Sequence, residues 1–390
     1  MRLCSIKELN ETMVLGKSIY HSNGKLLLGA GYRITPVIKD KLIERGYTHV
    51  YIMEEGSENV VPEDIISDEI RLQAKAKLAD KMTEIKNQSQ FKYLSRSKAL
   101  KLIKEGYLKK VNITYDIRKV LEDILNDISA TASLFMNTVM IKSTDNYFLD
   151  HALNVTVLSI LIGKKYRFDH NELMSLALGA FLHDIGKVII ENIKDSDKPG
   201  KADELYKEHP TFGYLLLHHS SNVSPMETQI VNQHHEYQNG SGFPIGLKGE
   251  NMPPIKRMVR ETKGQIFRMA EICCVADAFD NLAYNPLDKE QKSPDQAIKQ
   301  IIMDSGTLYN SDVLQTMLKV VPFYPIGAYI KVIDIVDPSL VGSRGVVAKI
   351  NENNINKPVI IITKNRFLKK ITPVIIDTSK FTHVELQLIV

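Results

Sequence analysis

The chain is poor in cysteine. Cys4 and the adjacent Cys273 and Cys274 are too few for a disulfide framework, and their spacing offers no CxxC metal clip. A reducing, cytoplasmic setting is expected. An excess of charge of one sign is also missing, because 50 basic and 46 acidic residues leave a formal +4 on 390 residues, which gives no argument for DNA as a partner. Long apolar runs are absent as well. A stretch such as Leu173 to Leu182 falls far short of the roughly 20 residues needed to cross a bilayer. The N-terminus shows no charged-then-apolar targeting pattern, so no membrane segment and no membrane partner is expected.

What is present is an ordinary globular composition, 44% apolar and 25% charged, with no long disordered tract. A chain of 390 residues divides into two or three domains at about 100–200 residues each. Residues 1–56 mix strand-like pieces (Met13 to Leu15, Lys25 to Leu28, Val50 to Met53) with one helix from Pro36 to Arg45, which Thr35 caps with proline at the first helical position. They read as a small α+β module. Residues 57–114 open with a linker and continue as polar helix formers with scattered leucines, a helical connector or dimerising stalk with exposed helices.

Residues 115–321 are almost wholly helical in pattern. After Pro322, β-branched runs starting at Tyr329, Gly345, Pro358 and Ile371 predict a small β-barrel-like domain over 322–390. The fold class expected is therefore mainly α, a helical core flanked by an N-terminal α+β module and a C-terminal β-barrel-like domain.

Eight of the eleven histidines lie between His151 and His235. His183 and Asp184 end a run too apolar for a surface, and burying an unpaired carboxylate costs several kcal/mol, roughly, so a metal or counter-charge is implied. Ile266, Ala270, Cys273 and Asp277 follow at spacings of four, three and four, placing an acid on a buried helical stripe. Ser224, Pro225 and Glu227 specify the start of a helix whose Ile230 and Val231 put His234 on the core face. His209 precedes Pro210, and His151 shares an apolar face with Phe148, Val155, Leu158 and Ile162.

Together His151, His183, Asp184, His209, His234, His235 and Asp277 form an N/O ligand set without thiolate, with Asp184 suited to bridging two ions. Two metals about 3.5–4 Å apart share a hydroxide and clamp an in-line displacement at phosphorus, so phosphoester hydrolysis is the natural chemistry. Lys187, one helical turn past His183, either neutralises a phosphate oxygen or is a solvated surface lysine. Asn239 to Pro244 form a loop whose small residues permit close backbone approach to a ligand. His218 and His219, at a helix end after Leu215 to Leu217, read as structural.

The ordered set His183-Asp184-Ile185-Gly186-Lys187, His209-Pro210 and His234-His235-Glu236-Tyr-Gln-Asn-Gly-Ser-Gly-Phe-Pro244, closed by Asp277, resembles the bacterial HD-GYP domain over roughly residues 124–320. The resemblance implies a helical HD-type metallohydrolase core and a phosphodiesterase that opens cyclic di-GMP to pGpG or GMP by metal-bound hydroxide. It implies two divalent ions, iron or manganese. His151, His183, Asp184 and Asp277 would hold one, and Asp184, His209, His234 and His235 the other. Asp184 and Lys187 carry the catalytic role, with Lys187, Gly240, Gly242, Phe243 and Pro244 facing substrate. A third metal is not expected, since Tyr147 stands where some members have glutamate.

Three departures bear on substrate. Asn239 and Phe243 replace the usual aspartate and tyrosine, and Ala283 to Lys289 lack the family's arginine. The stretch from Pro254 to Ala270 is long, with Arg257, Arg260 and Lys263 as replacement charges or a solvated loop. Two alternatives follow: a non-catalytic cyclic di-GMP receptor, or a phosphodiesterase for another cyclic dinucleotide. The expected partners are cyclic di-GMP, signalling proteins at the Gly240 to Pro244 loop, and a second copy in a homodimer.

Overall fold

The computed structural model describes residues 1–20, 25–62, 64–87, 96–105, 115–131, 135–136, 142–190, 205–218, 223–254, 264–283, 285–287 and 292–389. Arg257, Arg260, Lys263 and His219 lie outside the described residues.

The N-terminal strands β1 (Arg2–Ser5), β2 (Ile19–Tyr20), β3 (Leu26–Leu28) and β4 (His49–Ile52) pair antiparallel as β1 with β4 and β2 with β3, around helix α1 (Pro36–Glu44). The Thr35 hydroxyl accepts the Ile38 N–H at 3.3 Å, the cap the sequence predicts. Val14 and Leu15 form only isolated bridges, to Arg33 and Ile52, where a strand was expected.

Helices α2 (Asp68–Lys86) and α3 (Arg96–Lys104) are not the exposed connector the sequence suggests. Ala74, Leu78 and Ile85 make a narrow apolar stripe on a polar helix, and that stripe is buried against α4 (Tyr115–Ala130) and α5 (Tyr147–Lys165). Leu and Ile side chains buried in this way contribute about 1.5–3 kcal/mol each, which a short stripe can supply without making the helix look amphipathic overall. Lys75 also reaches Asp150 at 2.7 Å in a buried pair.

α5 is the hub of the helical body. Its residues from Asp150 to Gly163 are buried on every side, as expected of a helix apolar all round. It packs against α6 (His170–Phe181) and, on another face, α10 (Arg268–Leu282). The short α7 (Lys187–Ile190) lies on α8 (His209–His218), which pairs with α9 (Pro225–Gln233), and α9 also touches α6 and α10. α11 (Pro294–Met303) and α12 (Ser311–Met317) close the body over α10.

The C-terminal strands β5 (Tyr329–Ile335), β6 (Arg344–Lys349), β7 (Val359–Lys364), β8 (Lys370–Asp377) and β9 (Val384–Leu388) form one antiparallel sheet in the order β8-β7-β6-β5-β9. The expected barrel does not close, because β8 and β9 are edges and do not pair. Pro373 within β8 removes a ladder donor, which suits an edge strand.

Candidate metal centre

Five helix-associated segments deliver the seven expected ligands to one buried point. His151 comes from the middle of α5, and His183 with Asp184 from the turn between α6 and α7. His209 is the first residue of α8, His234 caps the C-terminus of α9 with His235 next, and Asp277 lies on α10. All seven are buried. Gly186 allows the close crossing, since a Cβ there would collide with the His209 carbonyl and the Gly213 nitrogen.

The donors fall into two sets. His151, His183 and Asp277 converge in one, and Asp184, His209, His234 and His235 in the other. Within the first, Asp277 Oδ1 is 3.0 Å from His151 Nε2 and 3.6 Å from His183 Nε2. Asp184 faces both sets: Oδ2 stands 3.5 Å from His183 and 3.7 Å from His151, and Oδ1 stands 3.1 Å from His209 and 3.8 Å from His234. His235 Nδ1 is 3.8 Å from Asp277 Oδ2.

The backbone settles which ring nitrogens carry hydrogen. His183, His209 and His234 each direct Nδ1 at the carbonyl three residues earlier, at 2.7 Å, 2.6 Å and 2.8 Å. A carbonyl only accepts, so each Nδ1 is the N–H and each Nε2 presents a lone pair. Those lone pairs converge, His209 facing His234 at 3.1 Å and His183 facing the His151 Nε2 at 3.2 Å. Asp184 Oδ1 faces the same lone pairs and has no hydrogen-bond donor among the described residues. Without positive charge among them these acceptors repel. Imidazole nitrogens and carboxylate oxygens around such a point fit divalent cations, and sulfur takes no part, since neither Cys273 nor Cys274 joins either set.

Electrostatics point the same way. Burial would raise the Asp184 carboxyl, but the Lys187 ammonium and then His183 and His209 hold it well below the usual carboxylate range. Asp277 is likewise held low, against its burial, by the neighbouring His151 and His183. Burial lowers His234 well below the usual imidazole value and His235 to about 3, so both stay neutral donors. His151 goes the other way, raised to about 9 because Asp277 and Asp280 outweigh its burial, so a cation at its Nε2 would displace a proton.

Asp280 and Tyr206 are supporting residues that the sequence motifs do not include, and Glu236, which they do include, has a role that they do not reveal. Asp280 accepts His151 Nδ1 at 2.9 Å and Asn154 Nδ2 at 2.9 Å, and pairs with buried Lys142 at 3.0 Å. Its signal was available, one turn past Asp277 on the same helix. Glu236 accepts backbone N–H groups of Ile245, Gly246 and Leu247 at 2.7 Å, 3.2 Å and 2.7 Å, fixing the loop that follows. Tyr206 places its ring at the site mouth, 42% exposed, and its carbonyl holds His209.

Lys187 does not share a helical face with His183, because the chain turns before α7 begins. Its Nζ instead meets Asp184 Oδ2 at 2.5 Å, and the side chain stays 26% exposed. Phe243 lies over His235 with ring centres 4.6 Å apart, and its N–H donates to the His235 carbonyl at 3.0 Å. Gly242 approaches the His235–Tyr237 backbone so closely that a Cβ would clash, and Gly240, at φ +83°, abuts Lys248. Both loop glycines permit close packing of the chain on itself, and Pro244 follows Phe243. Tyr147 stacks on His151 at 5.6 Å and hydrogen-bonds Asn281 at 2.8 Å. His218 is exposed and stacks on Tyr214, apart from both donor sets.

Residues 135–313 match the HD domain family. The chain is 26% identical over 217 residues to the cyclic di-GMP phosphodiesterase PA4108 of Pseudomonas aeruginosa, covering 54% of this chain and 49% of that protein. It is 31% identical over 174 residues to a cyclic di-GMP phosphodiesterase of Thermotoga maritima, 43% of each chain. It is 22% identical over 220 residues to the 3'3'-cGAMP-specific phosphodiesterase 2 of Vibrio cholerae, 55% of this chain and 39% of that one. The chain therefore spans about half or less of the length of these relatives. No described helix is long and apolar enough to cross a membrane.

Proposed function

For a chain that belongs to the HD-GYP family of HD domain proteins, we propose a metal-dependent phosphodiesterase acting on cyclic di-GMP. The observation that carries this reading is the convergence of four imidazole Nε2 atoms, with Asp184 presenting one oxygen to each side. His151, His183 and Asp277 would hold one divalent ion and His209, His234 and His235 the other, with Asp184 between them and iron or manganese as the metal. Bound there, such ions supply Lewis acidity toward a phosphoryl oxygen and lower the pKa of water.

The protein's own groups do the rest. The backbone carbonyls of Ala180, Tyr206 and Val231 hold three imidazoles in the tautomer that leaves Nε2 free. The Lys187 ammonium, beside Asp184 and open to solvent on one side, meets the charge that develops on a non-bridging phosphate oxygen. Phe243 gives an apolar wall at the mouth on which a base can rest. In this proposal residues 115–321 are the catalytic unit. Separate apolar clusters in the N-terminal module and in the C-terminal sheet support treating 1–56 and 322–390 as flanking modules, and 57–114 leads into the helical core.

The test is chromatography of cyclic di-GMP after incubation with iron- or manganese-loaded protein. The proposal expects pGpG or GMP, and intact substrate after hours of incubation would refute it. The Vibrio cholerae relative named for 3'3'-cGAMP favours a second reading, in which the same centre opens another cyclic dinucleotide. Side-by-side turnover of the two compounds separates the readings.

A further inference from the structure

Tyr206 is a large aromatic residue left 42% exposed beside a buried polar centre. Its ring centre lies 5.0 Å from that of His209, 6.1 Å from His235 and 6.2 Å from Phe243. The Lys187 Nζ sits 5.1 Å from the same ring centre. A half-exposed tyrosine and a partly exposed ammonium therefore stand together beside His209 and His235. The Tyr206 and Phe243 rings meet at 62°, edge toward face, at a distance that leaves no slot for a base between them. Stacking between the pair is thus excluded, and the hydroxyl is the part of Tyr206 with unspent chemistry.

We infer that Tyr206 is a substrate-contacting residue whose hydroxyl donates, beside Lys187, to a non-bridging oxygen of the phosphodiester. The inference rests on the phosphodiesterase reading above and adds the second donor of its phosphate clamp. A hydroxyl and an ammonium aimed at one anionic oxygen give two charge-assisted hydrogen bonds, stronger than neutral ones. The backbone carbonyl of Tyr206, which fixes His209, is untouched by a change of side chain.

Tyr206→Phe removes the hydroxyl alone. Its kcat/KM for cyclic di-GMP should fall about tenfold to hundredfold, in line with loss of one hydrogen bond to a charged group. Metal content and thermal midpoint should stay at wild-type values. Combined with Lys187→Ala, the loss should be smaller than the product of the two single losses, because both groups serve one oxygen. A Tyr206→Phe protein within twofold of wild type, a loss that tracks lost metal, or strictly multiplicative losses would overturn the inference. Affinity for cyclic di-GMP is measured on the same metal-loaded samples. Wild type that binds without turnover sinks the phosphodiesterase reading, while weaker or unchanged binding by Tyr206→Phe still decides the inference. Absence of binding to wild type sinks both.

Discussion

Asp280→Asn is the sharpest probe of how the centre is held. The Asp280 carboxylate orients His151 through the 2.9 Å bond to Nδ1, receives Asn154 at 2.9 Å, and offsets the Lys142 ammonium at 3.0 Å. Asparagine keeps the volume and removes the charge. His151 then loses the anionic partner that makes its Nε2 basic, and a partner of this kind is worth roughly tenfold to hundredfold in metal affinity. Only the His151 side should weaken, because none of the donors around His209 touches Asp280. Stability should fall too. Breaking a buried pair costs about 3–5 kcal/mol, and the low end applies because the Lys142 amine still donates to the carbonyls of Asp280 and Ala283 at 2.8 Å and 2.7 Å. Calorimetric titration of the variant with manganese should show one wild-type site and one weakened tenfold or more, with a lower thermal midpoint. Two wild-type affinities would refute the role given to Asp280.

Asp184→Ala removes the carboxylate that faces both donor sets and should abolish turnover and most metal binding; wild-type metal content by elemental analysis would contradict the assignment. Lys187→Ala should keep both ions and lower kcat for cyclic di-GMP by about a hundredfold to a thousandfold, the range for removing one donor to developing charge. Burial pushes the Glu271 carboxyl up to about 7, against hydrogen bonds from Gln238 and Asn310. Between the ordinary 4.5 and about 7 the folded chain keeps a proton that the unfolded chain has lost, so stability falls as pH rises through this window and levels off above it. The full fall is about 3 kcal/mol. Glu271→Gln should flatten that part of a pH series of denaturant melts, and an unchanged slope would locate it elsewhere.

Much of the architecture was legible where a local signal has one physical meaning. Thr35 with Pro36 and Ser224 with Glu227 announce helix starts, and Glu227 does accept the Ser224 N–H while pairing with Arg118 at 2.7 Å. The buried stripe ending at Asp277 announces an acid in need of a partner. What periodicity could not supply was the meeting of five segments, which depends on how α5, α8, α9 and α10 cross. Ala74, Leu78 and Ile85 were lost among polar neighbours because burial of a narrow stripe is decided by α4 and α5, not by α2 itself. β9 was missed since Glu385 and Gln387 alternate with the buried Leu386 and Leu388, the pattern of a half-exposed edge. At Gly242 the structure shows close approach to the chain's own backbone, a feature that sequence cannot tell from close approach to a ligand.

The central claim is that two cations are held side by side with Asp184 between them. Manganese titration followed by elemental analysis tests it most directly in wild type, His151→Ala and His209→Ala. The account predicts two ions per chain in wild type and about one in each variant. A single ion in wild type, or a variant that keeps both, would contradict it.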